Sequence, residues 1–260
     1  MNGVDVVIIT GAGRGIGRAV ALELGKLGKA ILSISQSPNS QATSSEIKRL
    51  GGTAESLVIN LEDYKYTEKT LLKWSEKNIY KKYGVVLAAG ILGPNGPFSS
   101  CSLEEWDKCH KVNILGNLAV LKGLMPKMIQ NKFGRIVTLA GGGSAYANPT
   151  FPAYSATKTA MVRITENIHE DLKDKGNFSI VCLAPGAVET DMLKKFRASG
   201  GEVRTVVDIS EPVTFIREFI ESSDVTLSGS FIHVRDSWKN YLNTGKQIED
   251  KAKWKLRRIE

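Results

Sequence analysis

Short apolar runs alternate with longer stretches of helical periodicity along most of the chain. The strand candidates are Val4–Thr10, Ala30–Ser35, Ala54–Ile59, Val85–Ala89, Gly134–Leu139, Ser179–Ala184 and Ser230–Val234. Helical patterns fall at Arg14–Gly25, Ser40–Leu50, Tyr66–Lys82, Ser102–Gln130, Pro152–Lys175 and Glu211–Glu221. Continuous Val, Ile and Leu strands with helices between them predict an α/β fold, with a doubly wound, mainly parallel seven-stranded sheet covered on both faces.

The chain shows no internal repeat and no low-complexity linker, so we predict a single domain over residues 1–234. Residues 235–260 form a basic C-terminal tail that we expect to be helical. The stretch Glu189–Asp208 lacks strong apolar periodicity, which predicts a mobile connection. It begins just after Pro185-Gly186, a turn signal directly behind a strand, where such sheets bind their ligands.

The net charge of +8 is typical of some nucleic-acid-binding proteins, but its distribution argues against that function. The last 28 residues hold eight Lys or Arg against four Asp or Glu, so half of the excess lies in the tail. The remainder is spread over amphipathic helices whose charged faces meet solvent. We therefore expect no nucleic-acid partner.

Targeting and redox signals favour a cytoplasmic protein. No apolar run approaches the roughly 20 residues of a membrane span, and Met1-Asn-Gly-Val-Asp5 lacks the basic region of a secretory signal. The three cysteines, Cys101, Cys109 and Cys182, are an odd number without metal-ligand spacing. We expect reduced thiols, no metal site and no membrane association.

A glycine loop, Thr10-Gly-Ala-Gly-Arg-Gly-Ile-Gly17, separates the first predicted strand from the first helix. Such a loop lets the backbone approach a pyrophosphate, to which the helix N-terminus offers amide donors and its dipole. A tight turn without a ligand is the alternative interpretation of the loop taken alone.

Tyr154 and Lys158 stand four residues apart in a helical pattern, which places the phenol and the ammonium on one face. A fixed cation beside a phenol favours the phenolate and lowers a pKa that is ordinarily about 10. The pair therefore predicts a proton donor or acceptor. An unrelated surface pair is the alternative for this spacing alone.

Together, the TGxxxGxG loop and the YxxxK pair resemble the short-chain dehydrogenase/reductase family. Further matches follow in the family's order: Leu87-Ala-Ala-Gly90 at its NNAG turn, Asn113 at its active-site asparagine, and Pro185-Gly-Ala-Val-Glu-Thr190 at its PGxVxT segment. The resemblance extends roughly from Val4 to Val234. It implies a Rossmann-type NAD(P)-dependent oxidoreductase that interconverts a hydroxyl and a carbonyl on a small organic substrate.

The resemblance also implies residue roles. Tyr154 would exchange a proton with the substrate oxygen, Lys158 would lower the tyrosine pKa and bind the nicotinamide ribose, and Asn113 would hold a water. The implied cofactor-binding residues are Gly11, Arg14, Gly15, Ile16, Gly17, Ser35, Asn60, Leu61, Ala89, Gly90, Tyr154, Lys158, Pro185, Gly186, Val188 and Thr190.

The end of the second predicted strand bears on cofactor choice. It reads Ser35-Gln-Ser37, without the carboxylate that would repel a 2′-phosphate. Arg14 lies where family members that use NADP carry a basic residue, and its guanidinium could pair with that phosphate. NADP(H) is therefore favoured over NAD(H); an Arg14 that only meets solvent is the alternative.

The chain departs from the family at the catalytic serine, whose position is Gly141. Ser144 could replace it, or backbone N–H groups of Gly141–Gly143 could polarise the substrate oxygen; an ordinary turn serine is the alternative for Ser144. Leu87-Ala88 also replace two asparagines that usually brace the sheet. The missing serine keeps a second function open, a non-catalytic, dinucleotide-binding regulatory protein. A third alternative is an enzyme that modifies sugar nucleotides on the same frame, although the chain is short for the extra substrate domain of such enzymes.

Two predictions concern partners. A basic cluster in the Glu189–Asp208 stretch indicates an anionic substrate; its members are Lys194, Lys195, Arg197 and Arg204. The resemblance implies a homodimer or homotetramer, formed through the Ser102–Gln130 and Pro152–Lys175 helices.

Overall fold

Seven parallel strands form the central sheet of the computed structural model, which describes residues 3–141, 143–203, 205–250 and 252–257. The spatial order of the strands is β3-β2-β1-β4-β5-β6-β9. Their bounds are β1 (Val6–Thr10), β2 (Ala30–Ser35), β3 (Ala54–Val58), β4 (Tyr83–Leu87), β5 (Phe133–Leu139), β6 (Asn177–Ala184) and β9 (Ser230–His233). Strands β1, β4 and β5 are buried along their whole length, which explains their largely apolar sequences; Arg135 and Thr138 of β5 are buried polar exceptions.

Eight α-helices connect and cover the strands in the described part of the chain. They are α1 (Gly15–Lys26), α2 (Asn39–Arg49), α3 (Tyr64–Lys77), α4 (Leu103–His110), α5 (Asn117–Gln130), α6 (Pro152–Leu172), α7 (Asp191–Ala198) and α8 (Ser210–Glu221). Helices α1 and α8 pack on one face of the sheet, and α3 and α5 pack on the other. The predicted doubly wound, Rossmann-type α/β fold is confirmed. None of the described helices has the length and apolar character needed to span a membrane.

The strand order reverses between β1 and β4, and this reversal opens a crevice at their carboxyl ends. The glycine loop follows β1, and the Leu87-Ala-Ala-Gly90 turn follows β4. Gly141 follows β5, and Pro185-Gly186 follows β6. The topology therefore brings segments that are far apart in the sequence to one edge of the sheet.

The connection between β6 and α8, for which the sequence shows only weak apolar periodicity, contains regular secondary structure. It contains α7, flanked by a two-stranded parallel sheet of β7 (Ala187–Val188) and β8 (Val206–Val207). Thr190 caps α7 by accepting a hydrogen bond from the Leu193 amide, and Phe196 packs on Phe151 with ring centroids 5.3 Å apart. One buried leucine and one aromatic contact hold this short helix, which is too little to give a strong apolar period. Arg204 lies outside the described residues.

The tail is not helical where the structure describes it. Residues 235–250 and 252–257 contain turns and one 3-10 turn, Trp238–Asn240. Trp238 is buried against Phe215, with ring centroids 4.8 Å apart, and its indole N–H donates to the Val234 carbonyl. The prediction of a helix is therefore wrong: the tail packs onto the core through separate contacts rather than one apolar stripe.

Candidate active site

The crevice is a cleft of about 1410 Å³. Every residue that the sequence assigned to cofactor binding lines it, and so does Ser144. Asn113 lies behind the cleft wall and is buried. The tertiary structure therefore brings nearly all of the predicted residues to one site.

The glycine loop is shaped by close backbone contacts. Gly11 and Gly15 have φ angles of +67° and +55°, which favour glycine. A Cβ atom on Gly17 would lie 2.5 Å from the Gly11 carbonyl oxygen, so no larger residue fits there. Helix α1 begins at Gly15 without a side-chain cap among the described residues, which leaves its first amides to the cleft. This backbone cradle fits the pyrophosphate of a dinucleotide.

At the end of β2, the Ser35 hydroxyl donates to the Ser37 carbonyl and accepts from the Ser40 amide. The cleft residues next to Ser35 are Gln36, Ser37 and Asn39, with no carboxylate. Arg14 is exposed, and its guanidinium lies 3.6 Å from a carboxylate oxygen of Asp191, at the start of α7. The sequence did not predict this ion pair, which joins the glycine loop to the segment that covers it.

Next along the cleft, Asn60 and Leu61 follow β3. The Asn60 carboxamide oxygen accepts a hydrogen bond from the Glu62 amide at 3.1 Å. This local turn fixes the Asn60 side chain against its own backbone and places Leu61 inward, where it is buried.

Tyr154 and Lys158 lie in the first half of α6 and face the cleft. The Lys158 ammonium donates to the Leu139 carbonyl at 2.9 Å and lies 5.6 Å from the centre of the Tyr154 ring. Burial disfavours both charged forms: it raises the pKa of Tyr154, with a smaller contribution from Cys109, and lowers the pKa of Lys158 to about 8. Burial dominates, so the net shift of the Tyr154 pKa is upward, opposite to the net lowering that we expected beside Lys158. Tyr154 is protonated at neutral pH.

Asn113 lies in a π-helical segment, Lys111–Gly116, that joins α4 to α5. Such segments interrupt the regular α-helical ladder and are frequent at functional sites. The Asn113 carboxamide binds both backbone groups of Ile91 and also donates to the Thr157 hydroxyl. A Cβ on Gly90 would lie 3.5 Å from the Asn113 oxygen and 3.6 Å from the Lys158 nitrogen. Asn113 thus fixes the turn beside Lys158.

The turn at Gly141 shows how the chain accommodates the missing serine. Its amide donates to the Ser144 hydroxyl at 3.1 Å, and that hydroxyl donates to the Gly141 carbonyl at 2.7 Å. Of the backbone N–H groups that we considered as donors to a substrate oxygen, that of Gly141 is therefore already bonded. A Cβ on Gly141 would lie 2.3 Å from the Tyr154 phenol oxygen, so the phenol occupies the space of a serine side chain. Gly142 lies outside the described residues.

Sequence reasoning missed Asn117 and Thr10, which replace the bracing of the absent asparagines. The Thr10 hydroxyl donates to the Asn117 carboxamide oxygen at 2.7 Å and accepts from the Ala89 amide at 3.0 Å. The Asn117 amide nitrogen donates to the Ala89 carbonyl at 3.0 Å. The available signal was the spacing of four from Asn113, which places both amides on one helical face.

The basic cluster does not face the cleft. Its described members, Lys194, Lys195 and Arg197, are exposed and do not line the cleft, and Arg197 pairs with Glu189 at 2.6 Å. Met192 and Phe196, from the opposite face of α7, line the cleft instead. The described residues of the cluster therefore give no support to the prediction of an anionic substrate.

The comparison of the sequence with known protein families agrees with this geometry. The sequence profile of the family described as short chain dehydrogenase matches residues 5–200. The chain belongs to this family. It is an NAD(P)-dependent oxidoreductase that interconverts hydroxyl and carbonyl groups.

Known members of the family are similar to the chain over most of its length. A 3-oxoacyl-[acyl-carrier-protein] reductase of Aggregatibacter actinomycetemcomitans is 31% identical over 193 residues, covering 73% of this chain and 78% of that protein. The chloroplastic NADPH-dependent aldehyde reductase-like protein of Arabidopsis thaliana is 26% identical over 254 residues, covering 87% and 94%. The crystal structure of the 3-oxoacyl (acyl-carrier-protein) reductase from Agrobacterium tumefaciens C58 with NADP bound has a TM-score of 0.77 at 22% identity, covering 88% and 92%. This last likeness concerns the fold alone.

Proposed function

We propose that this oxidoreductase reduces the carbonyl group of a small organic molecule and that Tyr154 donates the proton. The observation that carries the proposal is the convergence of Tyr154 and Lys158 with the glycine cradle in one cleft. The raised Tyr154 pKa keeps the phenol protonated at neutral pH, which is the form that donates in the proposed reduction.

Each side chain has a defined part in this proposal. The bound nicotinamide dinucleotide supplies the hydride. The Tyr154 hydroxyl gives its proton to the substrate oxygen, and the Lys158 ammonium compensates the phenolate that results. The Leu139 carbonyl holds Lys158 in place, and Asn113 holds the turn at Ile91. Ser144 acts as a positioning residue, because it fixes the Gly141 turn that gives the phenol its space.

Replacement of Tyr154 by Phe tests this assignment. NADPH consumption should be followed at 340 nm against a panel of aldehydes and ketones, with the Kd for NADPH measured separately by fluorescence. Loss of the proton donor should lower kcat by roughly 10²–10⁴-fold, while NADPH binding stays the same. Tyr66→Phe, an exposed tyrosine on α3, is the matched control. Turnover that survives Tyr154→Phe would contradict the proposed role.

We infer that NADP(H) is the preferred cofactor. Support comes from the absence of a carboxylate beside Ser35 and from the exposed guanidinium of Arg14, which lines the same cleft. Arg14→Ala should weaken NADPH binding by at least about tenfold and leave NADH binding nearly unchanged, since only NADPH carries the 2′-phosphate. Arg18→Ala removes a cation from the same helix, where Arg18 pairs with Glu46, and is the control. Equal losses for both cofactors would disprove the assignment.

The second candidate is a regulatory protein that binds dinucleotide without turnover. Gly141 at the serine position favours it. The two functions differ in the Tyr154→Phe experiment: a regulatory protein would bind NADPH, reduce no compound of the panel, and respond to the substitution in neither measurement.

We also propose a cytoplasmic homodimer or homotetramer. Leu103 on α4 and Leu115 in the π-helical segment are 73% and 41% exposed, which leaves apolar surface on the helices expected to associate. The three free thiols suit a reducing compartment. Sedimentation velocity tests the assembly: a monomer at micromolar concentration would contradict it.

A further inference from the structure

The C-terminal tail reaches the cleft from the side opposite the adenosine end. The sheet runs from β3 and β2, where Asn60 and Ser35 lie, to the edge strand β9. Phe231 of β9 and Trp254 of the tail both line the cleft at this far end, beyond the strands that carry the catalytic region. The Phe231 amide donates to the Trp254 carbonyl at 2.7 Å, so the tail covers part of an otherwise open sheet edge.

A buried carboxylate fastens the tail to the catalytic helix. Glu166 lies on α6, two turns after Lys158, and is only 6% exposed. It accepts a hydrogen bond from the Leu256 amide at 2.8 Å, and its carboxylate pairs with Arg257 at 3.2 Å and with Arg163. The Arg163 guanidinium also donates to the Leu256 carbonyl at 2.6 Å. We call this group, Arg163, Glu166, Leu256 and Arg257, the tail latch.

Trp254 is held in one orientation by its surroundings. Its φ angle is +58°, a left-handed conformation that bulky residues rarely adopt. The indole packs edge-on against Tyr241, with ring centroids 5.5 Å apart, and the Lys253 ammonium lies 4.7 Å from the indole centre. Such a conformation persists only where neighbouring contacts enforce it, and strain of this kind is concentrated at functional sites.

The chemistry of the cleft wall indicates what it accommodates. The wall presents large apolar side chains, namely Leu92, Met192, Phe196, Val203, Phe231 and Trp254, of which Phe231 and Trp254 belong to β9 and the tail. Among the lining residues that the structure describes, the only cations are Arg14 and Lys158, both assigned above to the cofactor and the proton transfer. Glu202 and Asp236 also line the wall and would repel an anion.

We propose that the tail forms a fixed wall at the substrate end of the cleft, that Trp254 is a specificity-determining residue, and that the substrate is a carbonyl compound with an uncharged, apolar body. The inference rests on the proposed carbonyl reduction. A flat aromatic wall gains apolar contact with such a body, whereas a carboxylate or phosphate would lose its hydration beside acidic residues.

Binding to the NADP⁺-loaded protein tests the wall without any turnover. Ligand-observed NMR should give Kd values for acetophenone, for 4-carboxyacetophenone and for the larger 2-acetonaphthone. We expect acetophenone to bind at least about tenfold more tightly than 4-carboxyacetophenone. Trp254→Ala should lower the Kd for 2-acetonaphthone relative to that for acetophenone by about tenfold, because it removes the bulk of the indole. Trp74→Ala removes an indole far from the cleft, on α3, and should leave these ratios unchanged.

The latch is tested by Glu166→Gln, with Glu170→Gln as control, because Glu170 lies one turn further along α6 in an exposed pair with Lys173. Glu166 is a positioning residue, so its loss should change the ketone ratio in the same direction as Trp254→Ala and leave the NADPH Kd unchanged. If Trp254→Ala leaves the ratio of the 2-acetonaphthone and acetophenone Kd values unchanged, Trp254 does not limit the substrate end of the cleft. If 4-carboxyacetophenone binds more tightly than acetophenone, the proposed substrate class is wrong.

The proposed reductase function fails separately, on the absence of any NADPH consumption that depends on Tyr154. The NMR ratios are measured with NADP⁺ and do not require that activity. A negative result in one experiment therefore contradicts either the carbonyl reduction or the role of Trp254, but not both.

Discussion

Restoring the serine that the family usually carries should damage this active site. The perturbation is Gly141→Ser, which adds a side chain at the end of β5. Here the Cβ itself meets the phenol of Tyr154, because the two groups claim the same space.

The expected magnitude follows from the distances. A Cβ on Gly141 would lie 2.3 Å from the Tyr154 oxygen and 2.9 Å from the ring carbon that bears it, whereas ordinary contact begins near 3.4 Å. The phenol must therefore move by about 1 Å. Misplacement of a reacting group by about 1 Å can cost on the order of 10²-fold in rate. Overpacking of this kind also lowers the free energy of unfolding by about 1–3 kcal/mol.

The assay compares kcat, the Kd for NADPH and the thermal midpoint of wild type and Gly141→Ser, with the best carbonyl substrate of the panel. Gly84→Ala is the control, because its added Cβ would lie 3.2 Å from Val7 and Ile220 in the core, away from the cleft. It should lower the thermal midpoint without changing kcat. An increase in kcat for Gly141→Ser would refute the reasoning, since it would mean that the phenol does not occupy the serine space.

Two further predictions concern charged groups. Asp191→Asn should release Arg14 from its exposed ion pair and tighten NADPH binding by up to about fivefold, because such pairs are worth at most about 1 kcal/mol; a change of equal size for NADH would contradict it. Lys158→Met should abolish turnover and raise the thermal midpoint at pH 7, because it removes a buried ammonium. The folded-state pKa of about 8 is below the ordinary 10.5, so between these values the unfolded chain binds more protons and wild-type stability rises with pH. The difference between the midpoints of the two proteins should therefore shrink from pH 7 to pH 10, and a constant difference would count against this account.

Much of the fold could be predicted from the sequence because its signals are local. The strand Ala30–Ser35 has its predicted bounds, and the other six strand candidates differ from the observed strands by at most two residues at either end. A parallel strand that is buried on both faces is mostly apolar along its length, so the pattern is a strong signal even where Arg135 and Thr138 interrupt β5. Helix α7 escaped detection because a helix of this length depends on tertiary contacts such as that between Phe196 and Phe151.

The candidate site divides in the same way. The glycine loop and the Tyr154/Lys158 spacing are visible in the sequence, since a turn that needs positive φ demands glycine and a spacing of four selects one helical face. The direction of the Tyr154 pKa shift could not be predicted. It depends on burial, and burial is decided by the elements that close over α6.

The order of the elements, the glycine loop and the Tyr154/Lys158 spacing could be predicted from the sequence alone, because each follows from a local pattern of residues. Only the tertiary structure decided that the phenol fills the serine space at Gly141, that Asp191 holds Arg14, and that the tail reaches the cleft. The two sets of features differ in how far apart in the sequence the interacting residues lie. Backbone geometry fixes the relative positions of neighbouring residues, whereas a contact such as Glu166 to Leu256 exists only after the sheet and its helices have packed.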